Sequence, residues 1–402
     1  VMAIIVANSA WSGAFLRFWQ TPIVIQVAGF ELNKPLLMWI NDGLMTLFFF
    51  IAGLEIKREM VAGELSERRK AMLPIVAALG GMIAPALVYL SLQWGRPAVV
   101  GWGIPMATDI AFVVGFLALL GSRVPHSLKI MLLSLAIADD IGATLVIALV
   151  YSTKLSWAAL AVAAAGFAIV LLFRWIGVRR IAAYIVPGAI IWLAFVKSGI
   201  HPSVAAVALG LLTPARAWFG DRMPFDFITD VFARYTGLAD DEEIRRHDPM
   251  SPLERIQRVL HPWVAFLIMP LFALANAGVA VQLADLASPV AIAVALGLIL
   301  GKPIGIFLFS WLSAKIGWTK LPKEIDAKVL LGAGCLAGIG FTMSLFIANL
   351  ALTGRELNEA KIGILTGSTI SAALGSILLI RFLPRTQSQK MKNEKRRMKN
   401  EE

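Results

Sequence analysis

The sequence predicts an all-α polytopic membrane protein with about twelve transmembrane helices and one small β-hairpin. Of its 402 residues, 58% are hydrophobic and only 16% are charged, whereas soluble globular domains carry about 25% charged residues. The apolar residues fall into runs of about 20, which is the length that a helix needs to cross a bilayer. A transmembrane β-barrel would instead show weaker, alternating segments of about 10 residues, and the sequence shows no such pattern.

Windows of about 20 residues divide the chain into about twelve apolar spans. The first span begins apolar, without a basic region or a cleavage site before it, so it does not resemble a signal peptide. We expect it to be the second half of a truncated first helix. The spans are Val1–Trp19, Leu36–Gly63, Ala71–Leu92, Ala98–Leu120, His126–Ser152, Leu155–Ile176, Ala182–Lys197, Ile200–Leu212, Arg255–Val281, Val290–Ala314, Val329–Thr353 and Lys361–Leu383.

The basic residues are concentrated in alternate joints between the spans. Joints that hold residues such as Lys57, Arg123 and Arg179 are rich in Lys and Arg, and the joints between them are poor. The positive-inside rule places the rich joints and both termini in the cytoplasm. The net charge of +11 therefore reflects orientation in the lipid bilayer, and we expect no nucleic-acid partner.

Three segments differ from the spans. Residues 20–34 alternate apolar and polar side chains around Ala28-Gly29, which predicts a β-hairpin on the periplasmic side. A lone hairpin is marginal in water, so we expect it to pair, most simply with a second copy of the chain. We expect residues 213–254 to form a solvated cytoplasmic loop and the basic tail 384–402 to be disordered. Residues 1–383 then form a single transmembrane domain.

The single cysteine, Cys335, lies inside an apolar run. One thiol forms no internal disulfide, and the sequence has no Cys/His spacing typical of a zinc site. We therefore interpret Cys335 as a small packing residue, and we predict no cofactor.

A few charged residues lie within the predicted spans, where a charge costs at least ~2.5–3.5 kcal/mol on insertion scales. Because of this cost, such residues are rarely accidental and indicate function. They are Asp42, Glu55, Asp109, Asp139, Asp140 and Lys302.

Asp139 and Asp140 lie near the middle of an otherwise apolar run. Neighbouring helical residues point about 100° apart, and both burial and mutual repulsion oppose ionisation of the two carboxylates. Such a pair can hold a proton or a hard cation, which prefers oxygen ligands, but not both comfortably. The pair therefore predicts exchange of sodium for protons. The alternative is an Asp pair that satisfies backbone groups of its own or a neighbouring helix.

Lys302 also lies in mid-span, where a lysine needs a carboxylate partner. One of the two adjacent aspartates is the best candidate, although the sequence leaves open which one. It also leaves open that the lysine snorkels to an interface.

Gly and Pro residues interrupt two spans, at 101–108 before Asp109 and at 338–342. Broken helices in corresponding halves of a chain indicate a transporter binding site. An anionic Asp109 could balance the positive helix ends where the breaks cross, and a kink without a function is the alternative. Spans three to five and ten to twelve each contain a broken middle helix, which predicts an inverted repeat.

Charged residues also close the second span and open the ninth at the cytoplasmic face. They could form an ion-pair cluster that titrates and gates entry, or they could be ordinary charged helix ends. The residues are Glu55, Arg58 and Glu59 in the second span, and Glu254 and His261 in the ninth.

Short segments along nearly the whole chain match, in the right order, the pattern of one family. They are Ala107–Phe112, Leu120–Pro125, Ala138–Gly142, Lys197–His201, Val259–Val264, Ala275–Gly278, Gly301–Pro303 and Gly338–Ser344. Together they resemble the NhaA family of sodium/proton antiporters. The resemblance implies twelve helices, two crossing broken helices and a homodimer formed through the hairpin, in a bacterial inner membrane.

The resemblance also implies roles for individual residues. Asp139 and Asp140 match the carriers of Na⁺ (or Li⁺) and protons, and Lys302 matches the lysine that pairs with one of them. The residues that match the helix crossing are Thr108, Asp109, Gly338 and Thr342, and those that match the pH-response cluster are Glu55, Arg58, Glu59, Glu254 and His261.

The chain departs from the family pattern near the ninth span. Glu254 and Gln257 stand where the family has a lysine and a glutamate, and the preceding loop is longer. These departures affect the expected pH response rather than the exchange chemistry.

We therefore expect a secondary antiporter rather than an enzyme. This antiporter would exchange intracellular Na⁺ or Li⁺ for external H⁺ by alternating access. Electrogenic, pH-regulated exchange would serve sodium extrusion and pH homeostasis.

Three other classes of protein were weighed against this expectation. An intramembrane aspartyl protease would need its two aspartates on separate helices, and Asp139 and Asp140 are adjacent. An ATP-driven pump is disfavoured because Gly297–Pro303 is one residue short of a phosphate loop and has Pro where Ser or Thr binds Mg²⁺. A sodium-coupled symporter of an organic anion stays open.

Overall fold

The computed structural model describes residues 2–27, 30–152, 155–178, 181–215, 251–280, 282–319, 321–322 and 324–383. Most of the predicted loop 213–254, the predicted tail 384–402 and the hairpin turn Ala28-Gly29 lie outside the described residues. The expectations for these segments therefore stay predictions.

The described residues are mainly helical. Nine of their helical segments are long and apolar enough to cross a membrane, if Pro97–Arg123 is counted as one segment, or ten if the bent pair Ala327–Ala337 and Phe341–Ala351 also forms a span. We number the helices in chain order. They are α1 Met2–Ala7, α2 Ser12–Trp19, α3 Leu36–Ala62, α4 Arg68–Gln93, α5 Pro97–Met106, α6 Ile110–Leu120, α7 His126–Val150, α8 Trp157–Ile176, α9 Ile181–Ser198, α10 Pro202–Leu212, α11 Pro252–Asn276, α12 Pro289–Ile316, α13 Ala327–Ala337, α14 Phe341–Ala351 and α15 Gly354–Phe382.

The predicted helical membrane class is confirmed, but the count of about twelve spans is confirmed only in part. The predicted first span consists of the short helices α1 and α2, and the predicted eighth span is the 11-residue helix α10. A helix rises about 1.5 Å per residue, so a helix of this length is too short to cross a bilayer core of about 30 Å.

The predicted hairpin is confirmed. Strand β1, Pro22–Val27, pairs antiparallel with β2, Phe30–Pro35, and Val27 lies opposite Phe30. Only two residues separate the strands, as expected for a tight hairpin turn.

The chain divides into two compact units, and the boundary falls within α7. The first unit contains the residues up to Leu16, Gly63–Ala143 and the residues from Asn276 onward. It therefore holds the predicted spans three, four and ten to twelve, and the part of span five up to Ala143. The second unit contains Arg17–Ala62 and Thr144–Ala275, including the hairpin.

Glycine allows close helix packing within the first unit. A Cβ added at Gly80 of α4 would lie 2.2 Å from the carbonyl oxygen of Gly305 on α12, which is closer than atoms can approach. Small residues let backbones approach in this way, and membrane helices rely on such packing because lipid provides no hydrophobic driving force between them. The resulting core is apolar and includes Leu128 and Leu132 of α7 together with Ile306 of α12.

Both predicted helix breaks are confirmed, and both lie in the first unit. In the first break, α5 is a 3₁₀ helix that ends at Met106, and α6 begins at Ile110 after an extended connection. In the second break, the axis bends by 50° between α13 and α14. A Cβ at Gly338 would lie 2.4 Å from the Leu298 carbonyl oxygen, so the second break needs glycine for close approach rather than for an unusual backbone angle.

Candidate functional site

The adjacent aspartates lie in the middle of α7, inside the first unit. Asp139 is 1% exposed and Asp140 is 4% exposed. Oδ2 of Asp139 lies 2.8 Å from Nζ of Lys302 and accepts a 2.6 Å hydrogen bond from the hydroxyl of Thr108. Oδ1 of Asp139 is also buried and has no hydrogen-bond partner among the described residues. The structure therefore pairs Lys302 with Asp139, a choice that the sequence left open.

Lys302 has no exposed surface, so its side chain does not snorkel to an interface. It lies at the end of a π-helical turn, Gly297–Gly301, within α12. Its ammonium group also donates to the carbonyl oxygen of Met106 at the end of α5, and the charge of Asp140 lies within electrostatic reach. A buried ammonium group is tolerated only when its charge and its donors are compensated, and here a carboxylate and a helix-end carbonyl compensate them.

The two helix breaks contact each other around Asp109. Oδ1 of Asp109 accepts from the backbone N–H of Phe112 on α6, and Oδ2 accepts from the N–H of Thr342 at 2.9 Å and from its hydroxyl. The N–H of Asp109 donates to the carbonyl oxygen of Ile339 at 2.7 Å. One carboxylate thus satisfies free N–H groups at two helix N-termini, where the partial charge is positive.

The remaining polar groups at the crossing are also paired. The Thr108 hydroxyl lies 3.0 Å from the carbonyl oxygen of Ala337, the last residue of α13. The Ser344 hydroxyl donates to the carbonyl oxygen of Ile104 at 2.7 Å. The Ser368 hydroxyl accepts from the N–H groups of Gly340 and Phe341. The sequence assigned a role to neither serine, although Ser344 ends one of the segments that match the family. A serine in an apolar helix has no spacing that reveals which backbone group it contacts.

The predicted pH-response residues lie in the second unit and are brought together only in part. Arg58 and His261 are close enough to Glu55 to interact with its charge, and Arg58 reaches the side-chain oxygen of Gln257 at 3.5 Å. Glu254 instead forms a capping box with Ser251 at the start of α11. Glu59, on α3, is half-buried.

A second polar cluster in the second unit surrounds Asp42. Lys34 lies 2.5 Å from Oδ2 of Asp42, and His201 lies 3.5 Å from Oδ1. The indole N–H of Trp192 donates to the Asp42 carbonyl oxygen at 3.0 Å. The sequence singled out Asp42 as a costly charge, but its partners come from β2, α9 and the start of α10, and no sequence pattern connects these elements.

The first unit thus combines apolar helices, two broken helices and buried charges at their crossing. Intramembrane charges that pair with one another beside broken helices are typical of membrane transporters of ions.

Comparison with known proteins specifies the class. Residues 1–379 match the family described as Na⁺/H⁺ antiporter 1. The chain is 48% identical over 401 residues to the Na⁺/H⁺ antiporter NhaA of Rhodopirellula baltica, covering 97% of this chain and 91% of that protein. It is 47% identical over 399 residues to NhaA 1 of Acidiphilium cryptum, covering 96% and 89%, and 46% identical over 390 residues to NhaA of Rhizobium meliloti, covering 94% and 89%. The chain belongs to the NhaA family of Na⁺/H⁺ antiporters, which are transporters rather than enzymes.

Proposed function

We propose that this chain exports cytoplasmic Na⁺ or Li⁺ in exchange for external protons, and that Asp139 and Asp140 bind both. The observation that carries the proposal is the unequal use of the two Asp139 oxygens. Oδ2 faces Lys302 and Thr108, while Oδ1 is buried without a hydrogen-bond partner among the described residues. An unused buried carboxylate oxygen is costly, and it is a suitable ligand for a hard cation.

Competition for the two carboxylates couples the ions. A cation needs ionised oxygens, whereas a proton neutralises one of them, so each ion weakens binding of the other. In alternating access, the site loads sodium from the cytoplasm, releases protons, reorients and discharges sodium outward. External protons then reload the carboxylates, and the site returns.

Lys302 makes the exchange electrogenic in this proposal. When a cation approaches Asp139, it competes with the ammonium group for the same carboxylate. A buried lysine that loses its partner releases its proton readily, because burial disfavours the charged form. More protons than sodium ions would then move in each cycle, and the membrane potential would drive export.

The cluster of Glu55, Arg58 and His261 would adjust activity to cytoplasmic pH. His261 and Arg58 are close enough to Glu55 to interact with its charge, and His261 lies on a different helix from Glu55. Gln257 faces Arg58 with a neutral side chain, so this contact would respond less to pH than a carboxylate would.

A homodimer formed through the hairpin completes the proposal. An isolated two-stranded hairpin is marginal in water, and pairing with a second copy would satisfy the free edge of a strand. The transporter would then lie in the inner membrane of a bacterium with both termini in the cytoplasm, as the charge distribution predicts.

The test measures proton flux in everted membrane vesicles. Respiration establishes a pH gradient, NaCl is added, and a pH-sensitive dye reports proton efflux. We expect rapid sodium-dependent dequenching for wild type and background signal for Asp139→Asn and Asp140→Asn. Asp285→Asn is the matched control, because it removes a carboxylate from a short 3₁₀ turn before α12, and it should behave as wild type.

Two outcomes would contradict the proposal. Wild-type vesicles that give no sodium response at any pH from neutral to alkaline would exclude antiport and favour a symporter. Full activity in either aspartate variant would exclude that aspartate as an ion carrier.

A further inference from the structure

We infer that Ser368 of α15 is a positioning residue for the cation site, because its hydroxyl fixes the broken end of α14. This inference rests on the proposed function of Asp139, to which the broken end is connected through Thr108. Ser368 does not touch the cation in this scheme and acts through the crossing.

The contact is specific to the break. Ser368 is 5% exposed, and its hydroxyl oxygen accepts from the N–H of Gly340 at 3.3 Å and from the N–H of Phe341 at 3.2 Å. The next N–H, that of Thr342, donates to Asp109. Three consecutive N–H groups at the start of α14 therefore have acceptors, although such groups lack partners within a helix.

Ser368 accepts hydrogen bonds from N–H groups that Asp109 does not reach. Asp109 already accepts from α6 through Oδ1 and from Thr342 through Oδ2. Without the Ser368 hydroxyl, two further N–H groups would be buried without an acceptor, and in a bilayer each such group costs several kcal/mol. The start of α14 would then shift, or Asp109 would be drawn toward it.

Either change reaches the cation site through Thr108. The Thr108 hydroxyl lies 2.6 Å from Oδ2 of Asp139 and 3.0 Å from the carbonyl oxygen of Ala337, and its single proton can serve only one of them at a time. Ala337 is the last residue before the second break. The position of the break therefore decides whether Thr108 donates to Asp139.

Donation to Asp139 favours cation binding. A hydrogen bond to a carboxylate stabilises its ionised form, which is the form that a cation needs. When Thr108 turns to Ala337 instead, Asp139 holds its proton more firmly and the cation competes less well. Loss of the Ser368 hydroxyl should therefore raise the KM for Na⁺ more than it lowers the maximal rate.

Ser371 provides a matched control on the same helix. It is fully buried, as Ser368 nearly is, and it also lies beside the break, but its hydroxyl donates to the carbonyl oxygen of Leu298 at 3.3 Å, next to Gly338, and accepts from no N–H group of α14. Replacing Ser371 by Ala removes a buried α15 hydroxyl and leaves both acceptors of the α14 N-terminus in place.

The experiment measures sodium-driven proton flux in proteoliposomes for wild type, Ser368→Ala, Ser368→Cys, Ser368→Thr and Ser371→Ala. For Ser368→Ala we expect the KM for Na⁺ to rise about tenfold, equivalent to ~1.4 kcal/mol, with less than about a twofold change in maximal rate. Ser368→Thr keeps the hydroxyl and should stay close to wild type. Ser368→Cys has a similar size but a weak acceptor, so it should lie between Ala and wild type.

The outcomes separate this inference from the proposed function. If wild type shows no sodium response, the proposed function fails. If wild type is active and Ser368→Ala keeps its KM, or if Ser371→Ala raises KM equally, the positioning role of Ser368 is excluded. If Ser368→Ala does not fold, the Cys variant decides, because a wild-type KM there would also exclude the role.

Discussion

Asp109 is predicted to be a major source of stability, because it accepts hydrogen bonds from two helix N-termini at once. Replacement by Asn keeps the size of the side chain but removes its charge and converts one oxygen into an NH₂ donor. The remaining oxygen can serve either Phe112 or Thr342, which lie against different oxygens of Asp109. The NH₂ group then faces a backbone N–H, so one buried donor stays unsatisfied.

The expected loss follows from these contacts. An unsatisfied buried donor costs about 1–3 kcal/mol, and loss of a charge at each of two helix N-termini adds about 0.3–1 kcal/mol per end. We therefore expect Asp109→Asn to lower the free energy of unfolding by about 2–5 kcal/mol. At about 2–4 °C per kcal/mol, the unfolding midpoint should fall by roughly 4–20 °C.

Asp326→Asn is the control for this measurement. Asp326 caps only α13, accepts from one N–H at 2.8 Å and is exposed. Asn and Asp are about equally good at such exposed caps, so the midpoint should change by about 2 °C or less.

Thermal unfolding of the purified protein in detergent, followed by intrinsic fluorescence at one scan rate, compares the two variants directly. Equal shifts for Asp109→Asn and Asp326→Asn would refute the double-capping role of Asp109. A small shift for both would show that the crossing does not depend on this charge.

Three further predictions concern the ion pair, the competition between ions and the helix packing. Lys302→Met removes the partner of buried Asp139, so it should lower the unfolding midpoint, at a cost of about 3–5 kcal/mol. Adding Asp139→Asn should restore part of this loss. Additive effects of the two substitutions would refute the coupling between the two side chains. In transport assays, the KM for Na⁺ should rise as pH falls, by up to about tenfold per pH unit for each competing proton, and a KM independent of pH would exclude direct competition. Gly80→Ala should destabilise the protein by about 1–3 kcal/mol, because the added Cβ would meet the Gly305 carbonyl oxygen. Gly115→Ala on α6 is the control, because nothing lies within 4 Å of its added Cβ. It should leave the unfolding midpoint unchanged or raise it in the same melting assay.

The sequence predicted the breaks and the charges because their chemistry is local. Gly and Pro residues interrupted two apolar runs, and an aspartate followed the first interruption, so both breaks were predicted close to their observed positions. The segment 200–212 was predicted as a span because its residues are apolar, although it is shorter than the roughly 20 residues that a span needs. The observed helix α10 begins at Pro202 and has 11 residues.

The partner of Lys302 could not be predicted because it depends on the rotation of α7 about its own axis. Asp139 and Asp140 differ by one residue, and only packing against α12 determines which of them faces the lysine. The roles of Ser344 and Ser368 are set in the same way, since each serine contacts a backbone group more than 25 residues away in sequence. Such contacts depend on tertiary structure and leave no local pattern.

The crossing is stable because most of the polar groups at each break, which have no partner within their own helix, form hydrogen bonds with the opposite break. Thr108 and the N–H of Asp109 reach carbonyl oxygens at the second break, and Ser344 reaches Ile104 at the first. Lys302 differs from these partners, because it joins a helix-end carbonyl to the carboxylate that is proposed to bind the cation.

Occupancy of the site should therefore act on the crossing through Lys302. A cation at Asp139 weakens the hold of the carboxylate on the ammonium group, and a lysine that then loses its proton is a weaker donor to Met106. The end of α5 would lose a charged donor at the moment when the cation is bound. Ion binding and rearrangement of the broken helices are then coupled by one side chain, which is the differential interaction that a conformational change needs in order to follow from ligand binding.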